Sequence, residues 1–416
     1  MKDSISYQPS RMNPLPDHWN QGQPPVGAGC TQGMVTGITS LSGNMTGQCV
    51  DGSIGLWPGF IRLVTPENGN RYLTVGGAGE EIFPLINEKG VALTQGIRLT
   101  RQFPPAPPGE FVPAGEMMRS CDSAADYVKM WADNYMRNGA PWGGRCNLII
   151  DPTEGYCAEG ANFVYNDPAN HAIHGPMTDQ VFASANFYIS KRLKMAAEAG
   201  IGAGYNRAKR LWQLLIDRQY DSNVMQPMMG GISLSYFMKC LRDHGNVSPE
   251  DGRLSAYIAE ERGDSALCCH GLWEYTSNAF INVSRPEHTD LLSCCWMTSG
   301  MPCISPFLPL FIGSTEIPEA LSTTQAYELF EELRLAVEYH PDLRDTITRH
   351  WSIFEIQAFE QSFLLEKEVS ALVEKGKVLE ARERLTRFVQ TKCDEAMDKC
   401  KKMLGSMRTL PLLGDT

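Results

Sequence analysis

The 416-residue chain lacks the features that mark several specialised classes of protein. No apolar run approaches the roughly 20 residues that a membrane-spanning helix needs. No internal repeat or long low-complexity tract is present, and the 37 basic residues are dispersed and outnumbered by 48 acidic ones. With a formal net charge of -11, the chain is expected to bind neither nucleic acid nor an anionic membrane surface.

Metal-binding spacing is also missing, although the chain has 13 cysteines. No CxxC pair or Cys/His cluster has the spacing of a zinc site, so no metal and no cofactor is expected. Two cysteine pairs are adjacent, Cys268-Cys269 and Cys294-Cys295, and neighbouring cysteines rarely form a good disulfide with each other. The expectation is therefore thiols in a reducing cytoplasm, with export from an anaerobe as the alternative.

Residues 1–29 have no hydrophobic centre and do not resemble a secretory signal. They are polar and rich in Pro and Gly, which indicates a mobile arm or a removable propeptide. The composition of the whole chain is globular, with 43% hydrophobic and 20% charged residues. The sequence predicts a leader at 1–29, a main domain at 30–320, and a helical extension at 321–416 packed on the same domain.

Strand-like runs dominate the first part of the chain after the leader. Short β-rich runs are separated by turn signals and read GMVTGITSL, GFIRLVTP, RYLTVGG and GVALTQGIRL. Residues 145–160 predict a hairpin that turns at DPTEG, and VFASANFYI predicts another strand. Strands return later as ALCCH, NAFINVS and LLSCCWMTSG. Residues 103–113 form a proline-rich loop in this interpretation.

Helical spacing of apolar residues appears in three central segments and throughout the C-terminal part. The central helices are predicted at 120–138, with Ser120 or Asp122 as the cap, and at 206–219 and 233–244. After Thr324 the chain is helical to about Leu404. The order β-rich, helical, β-rich, helical predicts an α+β fold with two antiparallel sheets packed between helix layers, and a helical C-terminal extension.

Cys30 begins the first strand-like run and follows the small residue Gly29. On its own it has the pattern of a buried strand cysteine, which is how most cysteines behave. If the Gly29–Cys30 bond is cut, however, Cys30 carries both a thiol nucleophile and an α-amine that titrates near pH 8. One residue then supplies a nucleophile and its base.

The neighbouring residues resemble a known family. CTQGMVTGITSLSGNMTGQCVD is similar to the start of the mature chain in cysteine N-terminal-nucleophile (Ntn) hydrolases, in which a strand and a turn lead to a second strand ending in G-[RQ]-N-x-D. ASANFY, YNRAKRLWQLL and the segment from CCHG to SGMPCISPF resemble later family motifs in the same order. The resemblance covers roughly residues 30–313. It is to the acyl-coenzyme A:6-aminopenicillanic acid acyltransferase group, with cysteine dipeptidases and choloylglycine hydrolases as relatives.

The resemblance implies a four-layer αββα sandwich and a set of site residues. Cys30 is the implied nucleophile and also releases the leader by attacking the Gly29 carbonyl. Asp51 is implied to orient the Cys30 amine, Asn186 to donate a hydrogen bond to an oxyanion, and Arg207 to lie near the nucleophile. No metal is implied.

Three further residues have implied oxyanion or substrate-binding positions. Gln48 stands where bile-salt hydrolases have an arginine, so position 48 offers neutral hydrogen bonds in place of a charge. Gln95 and Gly96 follow the NxxG turn, where a second oxyanion donor is expected from a side chain or a backbone N–H. Among other candidates, Arg210 is three residues from Arg207, and the WEYTSN segment, with Trp273 and Tyr275, is a candidate pocket rim.

The expected activity is hydrolysis or acyl transfer at a linear amide through a thioester on Cys30, with a self-processed zymogen as precursor. An N-acyl amino acid or a peptide-like small molecule is the expected substrate. A cysteine dipeptidase of the same fold is the alternative, favoured by the helical tail. From another class, a catalytically inactive binding or scaffold protein also fits the chain. The amphipathic C-terminal helices are compatible with a homo-oligomer. Within this interpretation His270 and Cys303 are structural, Cys303 as a packed thiol.

Overall fold

A computed structural model of the chain describes eleven stretches: 30–53, 60–76, 81–98, 112–138, 144–161, 171–190, 193, 204–219, 231–245, 266–270 and 274–407. The predicted leader with Gly29, the proline-rich loop up to residue 111, and Trp273 lie outside the described residues. The described part is an α+β structure with two antiparallel sheets and a run of C-terminal helices.

The strands, in chain order, are β1 Cys30–Val35, β2 Asn44–Ser53, β3 Phe60–Val64, β4 Tyr72–Gly76, β5 Glu81–Asn87, β6 Ala92–Arg98, β7 Gly144–Ile150, β8 Gly155–Gly160, β9 His171–Met177, β10 Val181–Ser184, β11 Glu274–Ser284, β12 Cys294–Met297 and β13 Leu308–Phe311. The helices are α1 Ala114–Ser120, α2 Ala124–Asn138, α3 Tyr205–Gln219, α4 Leu234–Leu241, α5 Thr289–Leu292, α6 Glu319–Ser322, α7 Gln325–Tyr339, α8 Arg344–Glu374 and α9 Val378–Met407. Gly37–Thr39 and Pro341–Leu343 are short 3₁₀ turns.

The first sheet has the order β10-β1-β2-β11-β12-β13. Strand β1, which begins at Cys30, is therefore an interior strand with a partner on each side. The pairing with β2 includes Cys30, whereas the pairing with β10 begins at Gln32, so the first two residues of β1 are paired on one edge. The β1–β2 register sets Cys30 opposite Val50 and Gln32 opposite Gln48.

The second sheet is a seven-stranded meander in which β3 to β9 follow in chain order. The structure contains the predicted NxxG turn and the predicted hairpin at DPTEG. The turn after Asn87 brings β5 back as β6, with Gly90 at φ 76°, and the turn at Asp151 joins β7 to β8. The Asp151 carboxylate accepts hydrogen bonds from the backbone N–H groups of Thr153 and Glu154, which is the usual reason for aspartate at such turns.

Polar side chains join the facing surfaces of the two sheets. Thr94 on β6 donates to Gln32 on β1 at 2.7 Å, and Gln32 donates onward to the Cys146 carbonyl on β7 at 3.1 Å. Asn282 on β11 donates to the Leu93 carbonyl at 3.1 Å. Because buried polar groups are costly unless paired, these bonds fix how one sheet lies on the other.

Helices pack against both sheets. Gly33 on β1 lets Leu211 of α3 and Phe237 of α4 approach the first sheet, since a Cβ at residue 33 would stand 3.0 and 3.2 Å from their side chains. On the second sheet, Tyr127 and Trp131 of α2 are buried in a separate apolar cluster. The C-terminal helices α8 and α9 contribute buried side chains to the largest apolar cluster, which also contains residues of the strands.

Four predicted elements differ in detail from the structure. The strand predicted as GMVTGITSL ends at Val35, because Gly37, at φ 59°, begins a 3₁₀ turn. The Gly37 N–H donates a hydrogen bond to Asn44 Oδ1. The predicted strand VFASANFYI ends at Ser184. The helix predicted over 120–138 begins at Ala124, because Ser120 is the last residue of the separate helix α1. Ser123, not Ser120 or Asp122, accepts the capping bond from Asp126.

The segment ALCCH, residues 266–270, is not a strand. The backbone N–H groups of Leu267 and Cys268 both bond to the Asp243 carbonyl, at 2.8 and 3.0 Å, so the chain bends there and does not continue as a strand. The helical prediction after Thr324 is confirmed, since α7, α8 and α9 continue to Met407.

All thirteen cysteines lie among the described residues; they are buried and none takes part in a disulfide. Of the helices in the described stretches, none combines the length and apolar character required to cross a bilayer.

Candidate functional site

Cys30 is the first residue of the interior strand β1 and is 7% exposed. Its thiol lies beside the Gln48 side chain and the Asp51 backbone of the neighbouring strand, and hydrogen bonding from both favours the thiolate. Burial, with the Asp51 charge, raises the pKa of the Cys30 thiol to about 11, against the opposing effects of those hydrogen bonds and of Arg207. The thiol is therefore protonated at neutral pH, and it needs a base within reach to act as a nucleophile.

Asp51 and Arg207 form a buried ion pair beside Cys30. Arg207 Nη1 on α3 donates to Asp51 Oδ2, and the two residues are 3% and 1% exposed. The other carboxylate oxygen, Oδ1, accepts from Thr276 Oγ1 on β11 at 2.7 Å. Burial raises the pKa of Asp51, while Arg207 and Thr276 act to lower it. Both oxygens of Asp51 thus have charged or hydroxyl donors, as a buried carboxylate requires.

The Asn186 side chain is a hydrogen-bond acceptor for the Cys30 nitrogen. The Cys30 backbone N–H donates to Asn186 Oδ1 at 3.0 Å, and Arg207 Nη2 donates to the same oxygen at 3.3 Å. These two donors identify the oxygen end of the Asn186 amide. The side chain therefore faces the atom that becomes the α-amine if the bond before Cys30 is cut.

A glycine lets these side chains approach one another. Gly204 precedes α3 at φ 85°, and a Cβ at this position would lie 2.5 Å from Ala185 Cβ and 3.0 Å from Arg207 Nη2. Only glycine adopts this backbone conformation without strain at such a close approach. The start of α3, with Arg207 one turn in, is thereby set against the segment that carries Asn186.

The segment after Asn186 is anchored by a buried carboxylate on β8. Glu159 accepts from the backbone N–H groups of Ile189 at 2.7 Å and Ser190 at 2.9 Å, and it pairs with His174 at 3.0 Å. The hydrogen bond that His174 donates to Glu159 raises the pKa of His174. Asn186 is thus held between the end of β10 and this anchored segment.

Gln48 connects the site to the second sheet. Its Nε2 donates to the Gln95 carbonyl at 2.7 Å, and its Oε1 accepts from the Gln95 N–H at 2.9 Å. Among the described residues, β5 and β6 pair only at Ile86 and Ala92, so Gln48 satisfies backbone groups of β6 that lie outside that ladder. Gly96 follows on β6, opposite Cys146 of β7.

The structure brings together most of the residues that the sequence singled out. Cys30, Asp51, Asn186 and Arg207 form one hydrogen-bonded network, and Gln48 extends it to Gln95. Gly96 adjoins this network along the strand, whereas Gly29 lies outside the described residues.

Arg210 pairs with the Asp243 carboxylate through two bonds of 2.9 Å, and it is Arg207 that binds Asp51. The prediction of Tyr275 as a pocket rim is wrong. That side chain is 1% exposed, and its ring lies beneath the Arg334 guanidinium, 4.7 Å from the centroid.

Sequence reasoning missed two residues that the network uses. Thr276 is embedded in a β-rich run, and its hydroxyl gives no signal until the register of β11 against β2 sets it opposite Asp51. Gly204 lies just before a helix pattern that was recognised, and a glycine at that position was the available signal. Both residues act through Asp51, Asn186 or Arg207.

No protein-family model matches the chain, and no curated protein matches it significantly. Among solved structures, the chain is similar to penicillin V acylase from Agrobacterium tumefaciens, with 12% sequence identity and a TM-score of 0.38, covering 68% of this chain and 86% of that one. It is also similar to a mutant conjugated bile acid hydrolase from Clostridium perfringens, with 11% identity and a TM-score of 0.35, covering 71% of this chain and 94% of that one. The assignment of a function therefore rests on the geometry of the site.

Proposed function

We propose that the chain is a hydrolase of linear C–N bonds that uses Cys30 as its nucleophile after a cut between Gly29 and Cys30. In this proposal residues 1–29 are a leader, 30–320 form the catalytic domain as a four-layer αββα sandwich, and 321–416 are a helical extension packed on it. The substrate is an N-acyl amino acid or a peptide-like amide.

One observation carries the proposal. The Cys30 nitrogen donates a hydrogen bond to Asn186 Oδ1, and the Cys30 thiol lies near Gln48, Asp51 and Arg207. After the cut, this nitrogen is the α-amine of Cys30, and it lies close to the thiol because both belong to the same residue. Because burial keeps the thiol protonated, a neutral amine at that place is the base that the thiol needs. An ordinary buried strand cysteine requires no acceptor for its nitrogen outside the sheet ladder.

The reaction proceeds in two steps. The thiol proton passes to the α-amine, the sulfur forms a bond to the amide carbonyl carbon, and the C–N bond breaks as the leaving nitrogen takes that proton. Water then attacks the thioester carbonyl and gives a proton to the amine, and the C–S bond breaks to release the carboxylic acid as the leaving sulfur takes that proton back. Acyl transfer replaces the water with an acceptor amine.

The proposal is tested by the intact mass and N-terminal sequence of the purified protein. We expect the wild-type chain to begin at Cys30 and the Cys30→Ala variant to remain uncut. Cys49→Ala is the matched control, since Cys49 is a buried cysteine on the neighbouring strand, and we expect this variant to be cut. A wild-type chain that keeps its leader, with a mass pattern unchanged by Cys30→Ala, would support the inactive scaffold instead.

The cysteine dipeptidase is the second candidate, and the observed C-terminal helices α6 to α9 favour it. Incubation of the processed protein with N-acyl amino acids, dipeptides and penicillin V distinguishes the substrate classes. Turnover of free dipeptides alone would assign the dipeptidase.

A further inference from the structure

Four side chains outside the Cys30 network converge on one point of the fold. They are His244, Cys268, His270 and Cys303, and their potential ligand atoms all lie within 4.8 Å of one another. They come from three separate segments. His244 follows α4, Cys268 and His270 lie in the bent segment 266–270, and Cys303 lies in the turn after β12. No short spacing in the sequence unites them.

The three distances from His270 Nε2 to the other ligand atoms are close to those in a tetrahedral metal site. His244 Nε2 lies 3.0 Å from His270 Nε2, which lies 3.7 Å from Cys268 Sγ and 3.3 Å from Cys303 Sγ. With Zn–N near 2.0 Å and Zn–S near 2.3 Å, tetrahedral geometry places nitrogens about 3.3 Å apart and a nitrogen about 3.5 Å from a sulfur. The three measured separations are near these values, and the four ligand atoms together span no more than 4.8 Å.

Hydrogen bonding alone does not account for this convergence. The Nε2 atom of His270 has one site, either a proton or a lone pair, and so makes one good hydrogen bond. Three heavy atoms nevertheless face it, from His244, Cys268 and Cys303. A cation at the centre resolves the conflict, because each nitrogen and sulfur then points its lone pair at the metal.

We propose that His244, Cys268, His270 and Cys303 bind one zinc ion in a structural site. Two imidazoles and two thiolates are a common zinc ligand set, and four protein ligands leave no position for water or substrate. The two thiolates balance the charge of Zn²⁺, which makes the site neutral next to the nearby buried guanidinium of Arg242.

The segments that carry the ligands are fixed from outside the cluster. Arg242, two residues before His244, donates to the carbonyls of Pro302 at 2.6 Å and Ser305 at 3.1 Å, on either side of Cys303, and pairs with Glu355. Thr348 Oγ1 donates to the Cys303 carbonyl at 2.7 Å. Such outer contacts orient metal ligands before the metal binds.

The zinc segment also touches the Cys30 network. Cys269 stands between the ligands Cys268 and His270, and its N–H donates to Thr276 Oγ1 at 2.9 Å. The same hydroxyl donates to Asp51. The zinc ion thus stabilises the loop that sets the position of Thr276, and it takes no part in the chemistry at Cys30.

The test is to purify the full-length protein without chelators and to measure its metal content by inductively coupled plasma mass spectrometry. We expect about one zinc ion per chain, and the same content in the Cys30→Ala variant, so that the result does not depend on the proposed activity. Cys268→Ser and Cys303→Ser are expected to lower zinc affinity by more than the roughly 10- to 100-fold that loss of an outer contact costs. Cys294→Ser is the matched control, a buried cysteine outside the cluster, and it should keep the metal.

A second measurement avoids dependence on folded variants. Wild-type protein stripped of metal and titrated with Co²⁺ should develop the thiolate-to-cobalt and ligand-field absorption of a tetrahedral site, saturating at about one equivalent. Absence of both zinc and cobalt binding would overturn the proposal. A disulfide between Cys268 and Cys303 would also overturn it. Such a bond would lower the thiol count, measured in denaturant after chelation, by two from the 13 cysteines, and peptide mapping of the non-reduced protein would locate it.

Discussion

Thr276 Oγ1 donates a 2.7 Å hydrogen bond to Asp51 Oδ1, across 225 residues of sequence. The same carboxylate binds Arg207 through its other oxygen, so Asp51 joins strand β11 and helix α3 to the strand next to Cys30. The position of the candidate nucleophile therefore depends on residues from four separate parts of the chain.

Replacing Thr276 with Val should change how stability depends on pH. Burial raises the folded-state pKa of Asp51 above 3.8, and the Thr276 bond opposes that rise. A carboxyl with a raised folded-state pKa favours the folded state below its unfolded-state pKa, and this contribution is lost as the pH rises through the folded-state value. Thr276→Val raises that value further, so we expect the variant to lose more stability at neutral than at acidic pH, measured by urea unfolding.

Thr276→Ser is the control for this prediction, because it keeps the hydroxyl and should follow the wild-type pH profile. An equal loss of stability in Thr276→Val at both pH values would show that the side chain contributes packing alone.

The Asp51–Arg207 pair should show strong non-additivity. Asp51→Asn leaves the Arg207 charge buried, and breaking a buried ion pair from one side typically costs about 3–5 kcal/mol. Arg207→Met has the corresponding effect on Asp51. We expect the double variant to be destabilised by less than the sum of the two single effects, with a coupling of roughly 0.5–3 kcal/mol in urea unfolding. Strict additivity would mean that the two charges act independently.

Asn186 should matter through its oxygen. Asn186→Leu removes the acceptor of the Cys30 nitrogen, and a hydrogen bond to a charged amine is worth about 1.5–3 kcal/mol. We expect thiol alkylation of Cys30 in the processed chain to slow by roughly 10- to 100-fold. Asn186→Asp keeps an oxygen acceptor and should retain most of the rate. If both variants are equally slow, the NH₂ group of Asn186 is the part that matters, as an oxyanion donor would require.

Gln48 should stabilise the contact between the two sheets. Gln48→Leu leaves the N–H and carbonyl of Gln95 without their partner, and each such buried group costs about 1–3 kcal/mol. Gln95→Ala is the matched control, because the contact uses only the backbone of residue 95, and its effect should stay within about 0.5 kcal/mol. Comparable losses in both variants would contradict the geometry.

Local pattern was sufficient for most of the fold. The alternation of small and apolar residues around Cys30, the turn after Asn87 and the helical spacing after Thr324 all predicted elements that the structure contains. These signals are short-range, since they depend on the period of one strand or helix and on turn chemistry. The ends of elements were less predictable, because Gly37 and Asp243 impose turns through contacts made elsewhere in the fold.

Long-range pairing accounts for what the sequence did not reveal. Thr276 acquires its role from the register between β11 and β2, and no local pattern encodes that register. The cluster of His244, Cys268, His270 and Cys303 is assembled from three segments, so a search for metal-binding spacing passes over it. Family resemblance indicated Cys30, Asp51, Asn186 and Arg207 together because it compares order along the whole chain.

The central claim is that Cys30 is an activated nucleophile, and the most direct measurement is competitive alkylation. The processed protein is treated with limiting iodoacetamide in the folded state, and the modified peptides are identified by mass spectrometry. The account predicts that Cys30 is labelled first among the 13 cysteines, and that Cys30→Ala removes the fast phase. Labelling of another cysteine first, with Cys30 unmodified, would contradict it.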